Sequence, residues 1–161
     1  MKHTALLSLA LIFFAFTFTS CKEDKYLDWK YINQQWYEQQ KQMAEQDDEW
    51  NITSSGLLYK VINAGIGNDD YSGRPSDKSA VTIAYTGSYI NNASFDSQPG
   101  YSEYLAGFVL GFQEAVKLMK LNGIYEVIIP YELAYGEDGN GVIPPYSVLK
   151  FKIELIDFWT Q

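Results

Sequence analysis

The sequence predicts an α+β domain, an antiparallel sheet wrapped on one short helix and preceded by an N-terminal amphipathic helix. Three observations carry this. Leu149, Phe151, Ile153 and Leu155 alternate along residues 148–158, the period of a half-buried strand. Phe112, Ala115, Val116 and Met119 take the i, i+3, i+4, i+7 spacing of a buried helical face within residues 111–121. Trp29, Trp36, Met43 and Trp50 recur every seven residues in a stretch that contains neither glycine nor proline.

The elements follow in chain order. Lys2 and His3 precede an apolar run from Ala5 to Phe18, which ends at Thr19-Ser20-Cys21. That run is of signal-peptide length and shorter than the roughly 20 residues a spanning helix needs. A small residue directly before the chain's single cysteine resembles a bacterial lipobox, with Phe18 standing where leucine is commonest. An ordinary signal peptide with a cysteine nearby is the alternative. Residues 1–20 are read as a lipoprotein signal peptide, and Cys21 as the lipidation site that tethers the rest to a membrane. Lys22-Glu23-Asp24 resembles the short acidic signal that sends some Gram-negative lipoproteins to the cell surface, or is simply a solvated start to a linker. The expected location is the outer membrane, on its periplasmic or its outer face.

Residues 21–55 form the second unit, a lipid-anchored linker and amphipathic helix. Its aromatic stripe has three possible partners: the globular domain in cis, a second copy of the chain in a homodimer through the 25–50 helix, or the membrane. Cis packing is the first choice. The intervening positions Asn33, Gln40 and Asp47 are too polar for a regular coiled-coil seam. Residues 56–161 form the third unit. Leu57 to Ile62 reads as a strand ending at the Gly65-Ile66-Gly67-Asn68 turn, Val81 to Ile90 alternates as a second strand, and Ile124 to Ile129 is a third.

Composition excludes several functions. The chain has 161 residues, 47% of them hydrophobic, with 13 tyrosines, 9 phenylalanines and 4 tryptophans, so a core is attainable without disulfides. A net charge of -8 with no basic cluster excludes nucleic acid as a partner. His3 is the sole histidine and would leave with the signal, while Cys21 would be consumed by lipidation. Ser-His and Cys-His catalysis and zinc sites built on histidine or cysteine are therefore excluded, and no metal site is expected. Activity must come from carboxylates, tyrosine hydroxyls, backbone groups and shape.

Taken singly, Tyr85, Phe95, Phe108, Phe112 and Tyr135 would be core aromatics. Their surroundings say more. Val81, Tyr85 and Gly87 share a strand; Phe95-Asp96-Ser97 follows a turn; Gly111-Phe112 opens the helix; and Ile129-Pro130, Leu133-Ala134-Tyr135-Gly136 and Val142-Ile143-Pro144-Pro145 come after it. In this order and spacing the segments resemble the FKBP-type peptidyl-prolyl isomerases over residues 56–159, so the sheet-and-helix domain is expected to be FKBP-like.

The resemblance implies a pocket walled by Tyr85, Phe95, Phe108, Val109 and Ile143. Phe112 would be its floor, where many members carry tryptophan, and Phe151 would support it from the last strand. Asp96, Tyr135 and Ile143 would be the catalytic residues. Asp96 would lie beside the twisting imide, Tyr135 would donate its hydroxyl to a substrate carbonyl, and the Ile143 N–H would bind another carbonyl. The implied substrates are proline-containing polypeptides, with no cofactor. The implied activity is rotation about X-Pro bonds of exported proteins; the alternative is a non-catalytic binding module on the same scaffold. Residues 98–104 lack the family's usual Phe-x-Leu segment, which leaves Tyr101 or Tyr104 to complete the wall, and Phe108-Val109 replaces a smaller pair and is expected to crowd the pocket.

Overall fold

The computed structural model describes residues 25–67 and 73–160. The apolar leader, Cys21, Lys22-Glu23-Asp24 and Asn68 lie outside the described residues. The elements are α1 (Leu27–Ala44), β1 (Trp50–Ile52), β2 (Leu58–Asn63), β3 (Ser79–Ser88), β4 (Ser94–Tyr104), α2 (Leu110–Leu118), β5 (Ile124–Ile129) and β6 (Leu149–Thr160). Six strands form one sheet in the order β1-β2-β5-β6-β3-β4, and every pairing is antiparallel.

The sheet is covered on both faces because its central strands are apolar at successive positions. Side chains along a strand point alternately to opposite faces. In β5, Val127 and Ile129 join the main core with Phe112, Val116, Ile153 and Leu155, while Ile128 between them enters a smaller core with Ala44, Leu58 and Val148. Leu57 and Leu58 divide in the same way, and Leu58 pairs with Ile128 in register. Helix α2 therefore packs on one face and α1 lies against the other. β6 keeps the expected alternation: Leu149, Phe151, Ile153 and Leu155 are buried, and Lys152 and Glu154 are exposed.

The amphipathic helix packs in cis, and the stripe's Trp29 and Trp36 take part, Trp29 through Ser147 and Trp36 against the smaller core. It ends at Ala44, and Trp50 belongs to β1, paired with Lys60. Met43 is exposed, whereas Asn33, which counts against a coiled-coil seam, is completely buried. Its amide explains this: Nδ2 donates to the Trp29 carbonyl at 2.8 Å, and Oδ1 accepts from the Val148 N–H at 3.0 Å. One turn on, the Tyr37 hydroxyl donates to the Gly56 carbonyl at 2.5 Å. Burial, reinforced by Glu38 and Glu132, pushes that hydroxyl up to about 12.

Strand β4 departs from the expected pattern. Residues 98–104, to which the sequence assigned no element, form most of this edge strand. Serine, glutamine, proline and glycine disguise it, and proline is tolerated because an edge strand leaves one row of N–H groups unpaired. Ile83 pairs with Tyr101 and Tyr85 with Gln98, so three steps on β4 oppose two on β3, and Pro99-Gly100 occupies the bulge.

Helix α2 approaches β5 closely because Gly111 lacks a side chain. A Cβ there would lie 2.4 Å from Ile129 Cγ2 and 3.2 Å from Leu133 Cβ. Gly111→Ala is expected to lower stability by about 1–2 kcal/mol in denaturant titration, because overpacking outweighs the roughly 1 kcal/mol that alanine gains in a helix.

Candidate functional site

At the end of the sheet where α2 begins, the side chains enclose a cleft of about 220 Å³. Strand β3 contributes Tyr85, β4 contributes Phe95 and Asp96, and β6 contributes Phe151. Gly107, Phe108 and Val109 lead into α2, whose Phe112 closes the floor, and Tyr135 stands at the rim beyond a 3-10 turn (Tyr131–Leu133). Every expected site residue except Ile143 lines this cleft.

The floor is an aromatic lattice. Phe112 is 2% exposed and meets Tyr85 and Phe151 edge-on at ring separations of 5.6 and 5.2 Å. Phe95 meets Phe151 edge-on at 5.6 Å. Each such pair adds roughly 0.5–1.5 kcal/mol beyond simple burial, so the cleft's shape is well fixed. Phe108 lines the same cleft. Its ring lies nearly parallel to Phe112, 4.7 Å away and inclined by 14°. Tyr101 backs Phe108 edge-on at 6.2 Å, while neither Tyr101 nor Tyr104 is among the residues that line the cleft. Gly87 makes the lattice possible, since a Cβ there would lie 2.6 Å from Phe95 Cζ and 2.8 Å from Phe151 Cε1.

Three polar groups interrupt the apolar lining. The Tyr85 hydroxyl donates to Asp96 Oδ2 at 2.5 Å. Burial first, and this bond second, hold the Tyr85 hydroxyl far above the ordinary tyrosine range, so it remains a donor and fixes the carboxylate. Tyr135 is 37% exposed, and its hydroxyl has no hydrogen-bond partner among the described residues.

Ile143 departs from expectation. Its N–H donates to Asn140 Oδ1 at 2.7 Å, and its side chain is 3% exposed within the main core. The reason is the tight loop before it. Asn140 N–H donates to the Ile143 carbonyl at 3.1 Å, and Gly139 takes φ +68° where a Cβ would sit 2.3 Å from the Ile143 carbonyl oxygen. The loop closes on itself and consumes the donor. Val109 is the contrasting case: it lines the cleft, and its N–H has no acceptor among the described residues. Sequence reasoning also missed Tyr89, whose ring packs 5.1 Å from Phe95 and whose hydroxyl donates to the Val142 carbonyl at 3.2 Å. Its position at the end of β3 gave no signal.

A larger groove of about 520 Å³ lies on the opposite sheet face between Trp36, Trp50 and Lys150. Lys150 there is already engaged by Asn92 and sits over the Trp36 ring. It offers no counterpart to the buried aromatic floor with a fixed carboxylate.

The family of FKBP-type peptidyl-prolyl cis-trans isomerases matches residues 72–156, just over half of the chain. The chain belongs to the FKBP family. Among curated relatives of this FKBP domain, the FKBP-type 22 kDa peptidyl-prolyl cis-trans isomerase of Escherichia coli is 40% identical over 112 residues, covering 66% of this chain and 52% of that protein. The outer membrane protein MIP of Legionella longbeachae is 36% identical over 110 residues, covering 65% of this chain and 45% of that protein. The chain thus spans about half the length of these curated relatives. The crystal structure of FkpA from Escherichia coli superimposes with a TM-score of 0.74 at 31% identity, over 83% of this chain and 62% of that one.

Proposed function

We propose that this protein is a peptidyl-prolyl cis-trans isomerase acting on X-Pro bonds of exported polypeptides. The observation that carries the proposal is an aromatic-lined cleft in which Tyr85 fixes the Asp96 carboxylate while the Tyr135 hydroxyl stays unpartnered among the described residues at the rim.

The chemistry suits a site without a nucleophile. Amide resonance sets a barrier of roughly 18–20 kcal/mol to rotation. The planar amide carries more charge separation than the twisted one, so water favours the planar form and an apolar cleft favours the twisted form. The proline ring enters against Phe112, between Tyr85, Phe95, Phe108 and Phe151. Tyr135 donates its hydroxyl to a substrate carbonyl. The Val109 N–H takes the donor role that the sequence assigned to Ile143, because Asn140 already holds the Ile143 N–H. Asp96 lies beside the imide carbonyl, whose carbon grows more positive as conjugation is lost. Hydrogen bonds that fit the twisted geometry better than either planar isomer lower the barrier.

The wider assignments rest on the same reading. The pairing of β2 with β5 supports a catalytic unit that starts near residue 56. Residues 1–20 act as signal peptide, and lipidation of Cys21 anchors the protein in the outer membrane of a Gram-negative envelope. The name of the Legionella relative supports that location. A homodimer through the 25–50 helix would use its outer residues Leu27, Tyr31 and Ile32, since Asn33 and Ala44 are buried in cis.

A protease-coupled assay on an X-Pro peptide tests the proposal. Acceleration above the uncatalysed rate supports it; peptide binding without acceleration would replace it with the binding-module reading.

A further inference from the structure

We propose that α1 is a positioning element of the cleft: through Trp29, Lys30 and Asn33 it holds residues 146–148, and with them the loop that carries Tyr135, in working register. The inference rests on the isomerase reading for its kinetic consequence, but not for its structural one.

Three consecutive loop residues are each gripped by the helix. The Lys30 ammonium sits 4.1 Å from the centre of the Tyr146 ring. Trp29 Nε1 donates to Ser147 Oγ at 3.0 Å, and that hydroxyl donates onward to the Pro144 carbonyl at 2.7 Å. Asn33 Oδ1 accepts from the Val148 N–H at 3.0 Å. The sequence separation for Trp29–Ser147 is 118 residues and for Asn33–Val148 is 115, so no local preference produces them.

The gripped segment is strained and joined to the cleft. Tyr146 has φ 60°, unfavourable for a bulky side chain and maintained only where neighbours over-determine it. In that conformation its N–H donates to the Gly136 carbonyl at 2.9 Å, next to Tyr135, and the Tyr135 carbonyl accepts from Gly139 at 3.0 Å. A second route runs through rings. Trp29 meets Tyr89 edge-on at 6.0 Å, and Tyr89 packs against Phe95 of the cleft wall. Asn33 and Trp29 are not among the residues that line the cleft. They act through Val148, Ser147 and Tyr89.

The test uses the purified full-length protein in mild detergent and compares Asn33→Ala and Trp29→Phe with Trp36→Ala. Trp36 packs α1 against the smaller core without being among the residues that grip the loop. Two readouts are taken well below the unfolding temperature: kcat/KM on an X-Pro peptide and hydrogen exchange at the Tyr146 and Gly139 amides. Asn33→Ala is expected to lower kcat/KM on the order of tenfold, mainly through kcat, and to speed exchange at both amides. Trp29→Phe, which keeps an aromatic ring but loses the Ser147 bond and part of the bulk against Tyr89, should shift both readouts in the same direction. Trp36→Ala should leave both near the parent values. Unchanged exchange and kcat/KM in Asn33→Ala and Trp29→Phe, or equal changes in all three variants, would overturn the proposal and leave α1 as a cover. If the parent protein shows no isomerase activity, the functional reading fails, and the exchange pattern alone still decides whether the helix holds the loop.

Discussion

Phe112→Ala is expected to lower stability by about 3–5 kcal/mol and to bring X-Pro isomerisation down to the uncatalysed rate. Phe112 is where two roles coincide. Its ring is 2% exposed and contacts Tyr85, Phe108 and Phe151, so truncation leaves a void beside three aromatic groups. The same void opens the cleft floor to water, which restores the solvation that favours the planar amide. A denaturant titration followed by tryptophan fluorescence measures the first effect, and the protease-coupled assay under fully native conditions measures the second. Full activity in a folded Phe112→Ala protein would remove the cleft from the mechanism.

Asp96→Val is expected to reduce kcat/KM by about 10²-fold with a much smaller loss of stability, and Tyr135→Phe to act in the same direction through the donor at the rim. Asp96 lies at the cleft edge on strand β4, where the hydrogen bond from Tyr85 at 2.5 Å keeps the carboxylate in place. Tyr85→Phe separates its charge from its orientation: the carboxylate survives and its tether is lost. An intermediate rate for Tyr85→Phe would assign the difference to positioning. Parent-like rates in both Asp96→Val and Tyr135→Phe would leave shape and desolvation as the whole mechanism. Purified variants assayed over a range of peptide concentrations separate effects on kcat from effects on KM.

Much of the fold was legible where local pattern and burial agree. The 149/151/153/155 alternation appears in the structure as read. Phe112, Ala115 and Val116 form the buried face of α2, which ends at Leu118 and leaves Met119 buried in the same core just past the helix rather than within the expected 111–121. Strand β4 was hidden because its pairing comes from the bulged register with β3 and not from its own composition. The seven-residue tryptophan spacing misled at Trp50, which the turn after Ala44 delivers to β1. Asn33 reads only as too polar for a coiled-coil seam, and its burial is not legible until its partner, the Val148 N–H, is known. In the site, the cleft-lining aromatics were recognisable from their motifs. The error at Ile143 has a local cause, because hydrogen-bond occupancy is set by the Asn140 side chain and motif spacing does not reveal it.

The grip of α1 on residues 146–148 also carries a temporal consequence. During synthesis the helix emerges first, while the residues it must meet arrive more than a hundred positions later. Until then Trp29 and Trp36 face solvent or whatever lies nearby, and a short isolated helix is marginal in water. Docking of α1 onto Ile128 and Val148 is expected to follow closure of the sheet, since β5 and β6 supply or position both. A protein proposed to hasten the slow steps of other chains thus places its own longest-range closure at the end of its folding, where nascent length limits the rate.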